Sequence, residues 1–313
     1  MISNKKLKKV LISIIAVLTL LAVSFLTTKI IYDNIFSRYD CKASVSSDSL
    51  KGIIDYRKNF RYKCEKISLS GYLYESNSEV KKDTLIVLAP GFNACSDSYL
   101  WQIKELNDYG WSVFAFDTTG CCSSEGKSSV GFPQEIIDLK ATLDFIEKNN
   151  RFDYKNIALL GHSRGGYAVC CALACEYNIS AVVSVSGINS AMDGIIGSSK
   201  QYVGNFAYAN YGFLWLYQTM LFGDDIVNLR ADEILNNTDT PVLIIHGEND
   251  KTYPTDKFSI ISKRDKINND KIEYFICSSP ENSGHTDLLF EDDGTADDRL
   301  IMTIDNFLRK SIK

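Results

Sequence analysis

The 313-residue chain has only three histidines, His162, His246 and His285, so proton transfer near neutral pH has few places to reside. One of them lies in the stretch Gly161-His162-Ser163-Arg164-Gly165, a serine held between two glycines in G-x-S-x-G spacing. The spacing is informative when an apolar strand precedes it and a helix follows. Here the apolar run Ile157–Leu160 comes before, and a helical pattern from Tyr167 to Tyr177 comes after. A sharp strand-to-helix turn brings neighbouring backbone against the serine, and a Cβ at Gly161 or Gly165 would crowd it. Such a turn lifts the Ser163 hydroxyl to the carboxyl edge of a sheet. The chemistry it suits is nucleophilic attack.

A serine hydroxyl attacks only when a base takes its proton, and the base needs an orienting carboxylate. His162 adjoins Ser163 within the turn, where its side chain should point away from Oγ. His246 ends the apolar run in "IIHGEND" and reads as a hydrogen-bonded structural residue. His285 lies in the polar stretch "SSPENSGHTDLLF" between the last strand and the closing helix, and is the expected base. Asp250, just past the strand Val242–His246, is the expected carboxylate. Glu248 and Asp256 are nearby rivals, and Asp287 is too close to His285 in sequence to be preferred. Two backbone donors should stabilise a developing oxyanion. They are expected to be the N–H groups of Arg164 and of Phe92, the latter in "APGFNACSDSY", where Gly91 lets backbone approach.

These residues need a scaffold that brings strand ends together. "TLIVLAP", "WSVFAFD", "NIALLG", "AVVSVSG" and "PVLIIHG" are short apolar runs typical of buried parallel strands. "KISLSGYLYES" alternates like a half-exposed strand, and "IEYFIC" is a plausible last one. Helical periodicity separates them, with Ile136, Leu139, Leu143 and Ile146 at three- and four-residue steps. The alternation implies an α/β fold with a mostly parallel sheet and helices on both faces. A long aromatic-rich insertion at about residues 188–238 is expected to form a helical cap over the site.

Ahead of this scaffold, Lys5, Lys6, Lys8 and Lys9 precede the uncharged run Val10–Leu26. Its length is near that of a membrane-spanning helix. The lysines favour a cytoplasmic N-terminus, with the bulk of the chain outside the cytoplasm. Secretion after signal cleavage is the alternative, although Ala22-Val23-Ser24 matches a cleavage site poorly. The expected division is residues 1–31 as basic tail and transmembrane anchor, 32–65 as linker and lead-in, and 66–313 as the α/β unit. A net charge of −5 argues against a nucleic-acid partner. The nine cysteines show no C-x-x-C pattern, and neither metal nor cofactor is expected from their spacing.

Taken together, "APGF", "FDTTGCCSSEG", "GHSRGG", "HGENDKTYP" and "GHTDLL" resemble the α/β-hydrolase superfamily from about Lys66 onward. The likeness is greatest to membrane-anchored bacterial serine hydrolases of the monoglyceride lipase and serine aminopeptidase-like group. The chain order Ser163, Asp250, His285 agrees with that family. Two positions depart from it: Pro90 stands where a histidine is usual, and Cys122 where a glycine is common. The resemblance implies hydrolysis through an acyl-enzyme without cofactor, with acylglycerol- or arylester-like substrates expected first. Peptidase or amidase activity, or a catalytically silent membrane-tethered binding role, are the alternatives.

Overall fold

The computed structural model describes residues 4–41, 48–78, 83–279 and 282–312. The chain begins with α1 (Asn4–Ile35), followed by α2 (Asp48–Tyr56), β1 (Lys58–Cys64) and β2 (Ile67–Tyr74). Strand–helix alternation then runs through β3 (Thr84–Ala89), α3 (Leu100–Asp108), β4 (Ser112–Asp117), α4 (Gln134–Lys148), β5 (Asn156–His162), α5 (Arg164–Cys171) and β6 (Ile179–Val185). Four helices follow before the next strand: α6 (Ala191–Val203), α7 (Tyr211–Phe222), α8 (Asp224–Val227) and α9 (Ala231–Leu235). The chain closes with β7 (Val242–Gly247), β8 (Ile272–Cys277) and α10 (Asp298–Ser311).

The eight strands form one sheet in the order β1-β2-β4-β3-β5-β6-β7-β8. β1 and β2 pair antiparallel, β2 pairs antiparallel with β4, and the remaining neighbours are parallel. Apolar side chains of β3, β4, β5, β6 and β7 are buried on both faces, which is why these strands read as continuous apolar runs rather than alternating ones. One core, containing Val87, Phe114, Leu159 and Val182, lies under α4 and α5; the other, containing Ile86, Leu160, Val183 and Ile245, lies under α3 and α10. In a parallel sheet the carboxyl ends lie together, so the loops after β3, β4, β5, β7 and β8 converge on one edge.

α1 is the one described helix long and apolar enough to cross a membrane, with a window of mean hydropathy 2.7. Every residue from Lys5 to Val23 is exposed, about 28 Å of helix at 1.5 Å per residue. Its C-terminal part is different. Phe25, Thr28, Tyr32 and Phe36 recur at three- and four-residue steps, and Tyr32 and Phe36 are fully buried. Phe25 and Tyr32 meet Phe213 and Tyr217 of α7 edge-on, and Tyr217 donates a hydrogen bond to Asp33 (2.6 Å). The helix therefore runs through the boundary expected at residue 31. The expected linker at 32–65 carries the end of α1, all of α2 and an edge strand, β1.

Candidate active site

Ser163 occupies the single residue between β5 and α5, at φ 56° and ψ −113°. This left-handed conformation costs a non-glycine residue about 1–3 kcal/mol and persists only where its surroundings fix it. The flanking glycines show how it is fixed. A Cβ on Gly161 would lie 2.2 Å from the Gly165 carbonyl oxygen, and one on Gly165 would lie 2.1 Å from that of Ala89. Both contacts are with backbone that cannot move aside. Gly161→Ala is accordingly expected to lower the unfolding free energy by about 3 kcal/mol, read by urea titration, and to displace Ser163.

The structure brings Ser163, His285 and Asp250 into one hydrogen-bonded row. His285 Nε2 is 2.8 Å from Ser163 Oγ, and His285 Nδ1 is 2.7 Å from Asp250 Oδ2. With the ring proton on Nδ1, the imidazole donates to the carboxylate and accepts from the serine hydroxyl. The other Asp250 oxygen accepts the backbone N–H groups of Thr252 (2.8 Å) and Tyr253 (2.9 Å), which fixes the carboxylate plane. Burial opposes ionisation of Asp250, but hydrogen bonds from His246 and His285 outweigh it and hold the carboxyl well below the usual range. The rivals Glu248, Asp256 and Asp287 are all exposed, and none of them meets His285.

The other two histidines have different partners. His246 Nε2 donates to the Tyr253 carbonyl (2.9 Å) and lies 3.3 Å from Asp250 Oδ2, the oxygen that His285 also meets. His162 Nδ1 meets the Tyr99 hydroxyl (3.0 Å), and its Nε2 donates to the His285 carbonyl (3.0 Å). Burial, together with repulsion from His285, pushes the His162 pKa down to about 3 from 6.5. The unfolded chain therefore binds the extra proton first. Stability attributable to this group is complete above pH 6.5 and declines toward pH 3, by about 1.4 kcal/mol per unit. Urea unfolding between pH 6.5 and 4 should show that slope reduced by this amount in His162→Gln.

The loop after β3 stands beside the serine. Where a histidine is usual, Pro90 offers no polar side chain, and the bracing comes instead from Tyr99, whose hydroxyl accepts the Gly91 N–H (2.8 Å) while meeting His162. Among the described residues, the backbone N–H groups of Phe92 and Arg164 have no hydrogen-bond partner. The loop is also tied to the one after β4. Asp117 accepts Ser96 Oγ (2.8 Å) and N–H (3.2 Å) on one oxygen, and Tyr72 OH (3.0 Å) and the Ser123 N–H (3.2 Å) on the other. The Phe92 ring packs against Phe36, Phe132 and Tyr39, at centroid separations of 5.2, 5.8 and 6.2 Å. The residues that follow α1, Phe36 and Tyr39, thus form part of the apolar wall beside the loop that carries Phe92.

Beneath the turn, Arg164 is wholly buried, with Nη2 2.8 Å from Glu135 Oε2 and donating to Thr118 Oγ1 (3.1 Å) and the Tyr39 hydroxyl (3.3 Å). Burial pushes the Glu135 carboxyl up to about 8 against the pull of Arg164. Residue-type reasoning missed Tyr39, Tyr99, Glu135 and Asp117, which act on residues far away in the chain. The carboxylate of Asp117 at the end of an apolar run was the one available signal. A cleft of about 550 Å³ opens beside His285, between Asn249 and Thr252 on one side and Ser283 and Asp287 on the other. A wider one of about 700 Å³ between β1 and α4 shares no residue with the site.

A family model described as the alpha/beta hydrolase fold matches residues 84–224, which include Phe92, Ser163 and Arg164. No curated protein sequence matches the chain. Solved structures share its fold at low identity. An esterase from Pyrococcus furiosus superposes with TM-score 0.65 at 19% identity, over 89% of this chain and 100% of its own. Est1E from Butyrivibrio proteoclasticus, with ferulic acid bound, gives 0.57 at 18% identity, over 81% and 99%. The Pyrococcus horikoshii acylaminoacyl peptidase gives 0.58 at 17% identity, over 82% of this chain and 42% of its own. With its sheet order, its strand–serine–helix turn and the family-model match over residues 84–224, the chain has the α/β-hydrolase fold.

Proposed function

We propose that this protein is a membrane-anchored serine hydrolase that cleaves carboxylic esters through an acyl-enzyme. The observation that carries the reading is the hydrogen-bonded row from Ser163 through His285 to Asp250. In this mechanism His285 Nε2 takes the Ser163 proton as Oγ attacks the ester carbonyl. Asp250 stabilises the imidazolium that forms. The Phe92 and Arg164 N–H groups, free of other partners, receive the oxyanion. The imidazolium then gives its proton to the leaving alkoxide. Water, deprotonated by the same His285, releases the acid and restores the serine. His285 carries each proton transferred in this cycle, from Ser163 to the leaving alkoxide and from water back to Ser163, and the water supplies the atoms of the net hydrolysis.

An apolar acyl group suits the surroundings. Phe92, Phe36 and Phe132 line the approach to the candidate oxyanion loop. Across α1, the helix α7 exposes Leu216, Met220 and Leu221, continuing the apolar surface of the anchor. An acyl chain in the outer leaflet would meet that surface before the serine. In this reading residues 188–238 form the cap, and α1 is kept rather than cleaved, because Ala22-Val23-Ser24, followed directly by Phe25, matches a cleavage site poorly. The lysines before α1 put the N-terminus in the cytoplasm and the catalytic unit outside it.

The test uses the full-length chain in detergent or in vesicles, since residues 25–36 pack into the fold. Initial rates are compared for a vesicle-borne monoacylglycerol, a water-soluble acetate ester and an aminoacyl anilide. The expected order is monoacylglycerol, then acetate, then anilide. The likeness to an acylaminoacyl peptidase makes the amide reading the specific rival. Faster turnover of the anilide than of both esters would replace the proposed ester specificity with that reading.

A further inference from the structure

Four of the nine cysteines, distant in sequence, meet in one place. Cys41 lies six residues beyond the end of α1, Cys95 three residues past Phe92, and Cys121 and Cys122 in the loop after β4. The Sγ atoms of Cys41, Cys95 and Cys122 all lie within 4.8 Å of one another. Cys121 Sγ is 3.9 Å from that of Cys41 and 3.5 Å from that of Cys122. All four are free thiols at separations well beyond a sulfur–sulfur bond, and an adjacent pair such as Cys121-Cys122 bridges poorly. A tetrahedral ion bound by thiolates at about 2.3 Å would set sulfur–sulfur edges of about 3.8 Å, close to the separations found here.

The surroundings are built for thiolate rather than for an apolar packing role. The Cys41 backbone N–H donates to Cys122 Sγ (3.0 Å), the kind of bond that orients a ligating sulfur and offsets its charge. Arg38 donates to the carbonyls of Cys122, Ser124 (2.9 Å) and Gly126 (3.0 Å), which fixes the loop and places a cation beside it. Cys122 itself sits at φ 43°, in the left-handed region where a glycine would be free of strain. Cys95 and Cys121 are buried, while Cys41 and Cys122 are partly open and give an ion a way in.

We infer that Cys41, Cys95 and Cys122, with Cys121 at the edge of the set beside Cys41 and Cys122, bind one thiophilic closed-shell metal ion of the zinc class. On binding, each ligating thiol releases its proton to solvent as a sulfur–metal bond replaces S–H. The ion would join the residues following the anchor helix to the loop that carries Phe92 and to the loop after β4. Sequence spacing conceals the site, since its ligands come from three loops and form no C-x-x-C.

The test is metal content, independent of any hydrolytic activity. Full-length protein is purified in detergent under anaerobic, chelator-free conditions and assayed by elemental mass spectrometry. The expected result is one zinc per chain. After exchange with Co²⁺, the sulfur-to-cobalt charge-transfer and visible bands of a tetrahedral thiolate site should appear. Cys122→Gly, which suits the left-handed backbone while removing the sulfur, should lose the metal and the bands. Cys95→Ser should do the same, and Cys175→Ser, outside the cluster, should retain both. Wild-type protein with all four thiols reduced and no cobalt bands on titration would overturn the inference. So would disulfides among these cysteines that persist in protein isolated anaerobically, found as a mass deficit of two hydrogens per bond.

Discussion

Ser163→Ala is expected to abolish fluorophosphonate labelling of the full-length chain and to lower kcat for ester hydrolysis about a million-fold. The size follows from the part the hydroxyl plays. Without Oγ there is nothing for His285 to deprotonate, and no covalent intermediate can form. What remains is binding and the two free amides, enough only for slow attack by water. The fold should survive. Oγ makes one hydrogen bond, to His285 Nε2, and the side chain is almost wholly enclosed. Losing that bond costs about 1 kcal/mol, and the alanine methyl fits the space the serine occupied. Circular dichroism and urea midpoints should therefore match the wild type closely. Folded wild-type protein that fails to label, or a mutant that labels as fast, would remove Ser163 from the mechanism.

The distinction between what the residues disclosed and what they hid is physical. Continuous apolar runs disclosed β3 to β7, because a strand buried on both faces has no polar side to show. They could not disclose β1: "KNFRYKC" is an edge strand with its side chains mostly outside the core, and its alternation is weak. The apolar stretch of α1 seemed to end at residue 31, because Lys29 and Asp33 interrupt it. The helix continues because Tyr32 and Phe36, four residues apart, bury one face against α7 and Phe132. At the candidate site, the turn that carries Ser163 was legible from its demand for glycine on both sides, and His285, singled out by elimination among three histidines, is the one within hydrogen-bond distance of its hydroxyl. Tyr99 was not, since its task depends on contact with His162, 63 residues away. His246 was read as structural; its approach to Asp250 follows from a turn geometry that spacing does not specify.

Asp250→Asn is expected to lower kcat by about 10⁴-fold, with far less effect on substrate affinity. Two donors converge on the Asp250 oxygen that the substitution turns into an amide nitrogen: His285 Nδ1–H at 2.7 Å and His246 Nε2–H at 3.3 Å. An amide N–H₂ placed there faces donors, while its own oxygen keeps the backbone N–H groups of Thr252 and Tyr253. His285 relieves the conflict by moving its proton to Nε2, and so loses the lone pair that accepts the serine proton. His246 retains the Tyr253 carbonyl and has less cause to change. Labelling by a fluorophosphonate should slow in parallel with turnover, because both need the same deprotonation. Glu248→Gln and Asp256→Asn, on exposed side chains of the same loop, should leave both rates near wild type. If Asp250→Asn kept most of its activity while either of these lost it, the orienting role would pass to that carboxylate. The carboxyl of Asp250 also ties the pH response of the fold to the site. Because the native state holds it below its usual range, its stabilisation is complete above the unfolded value of 3.8 and is lost only as pH falls below that value. Asp250→Asn should therefore flatten the most acidic part of the unfolding profile and leave the His162 slope above it unchanged.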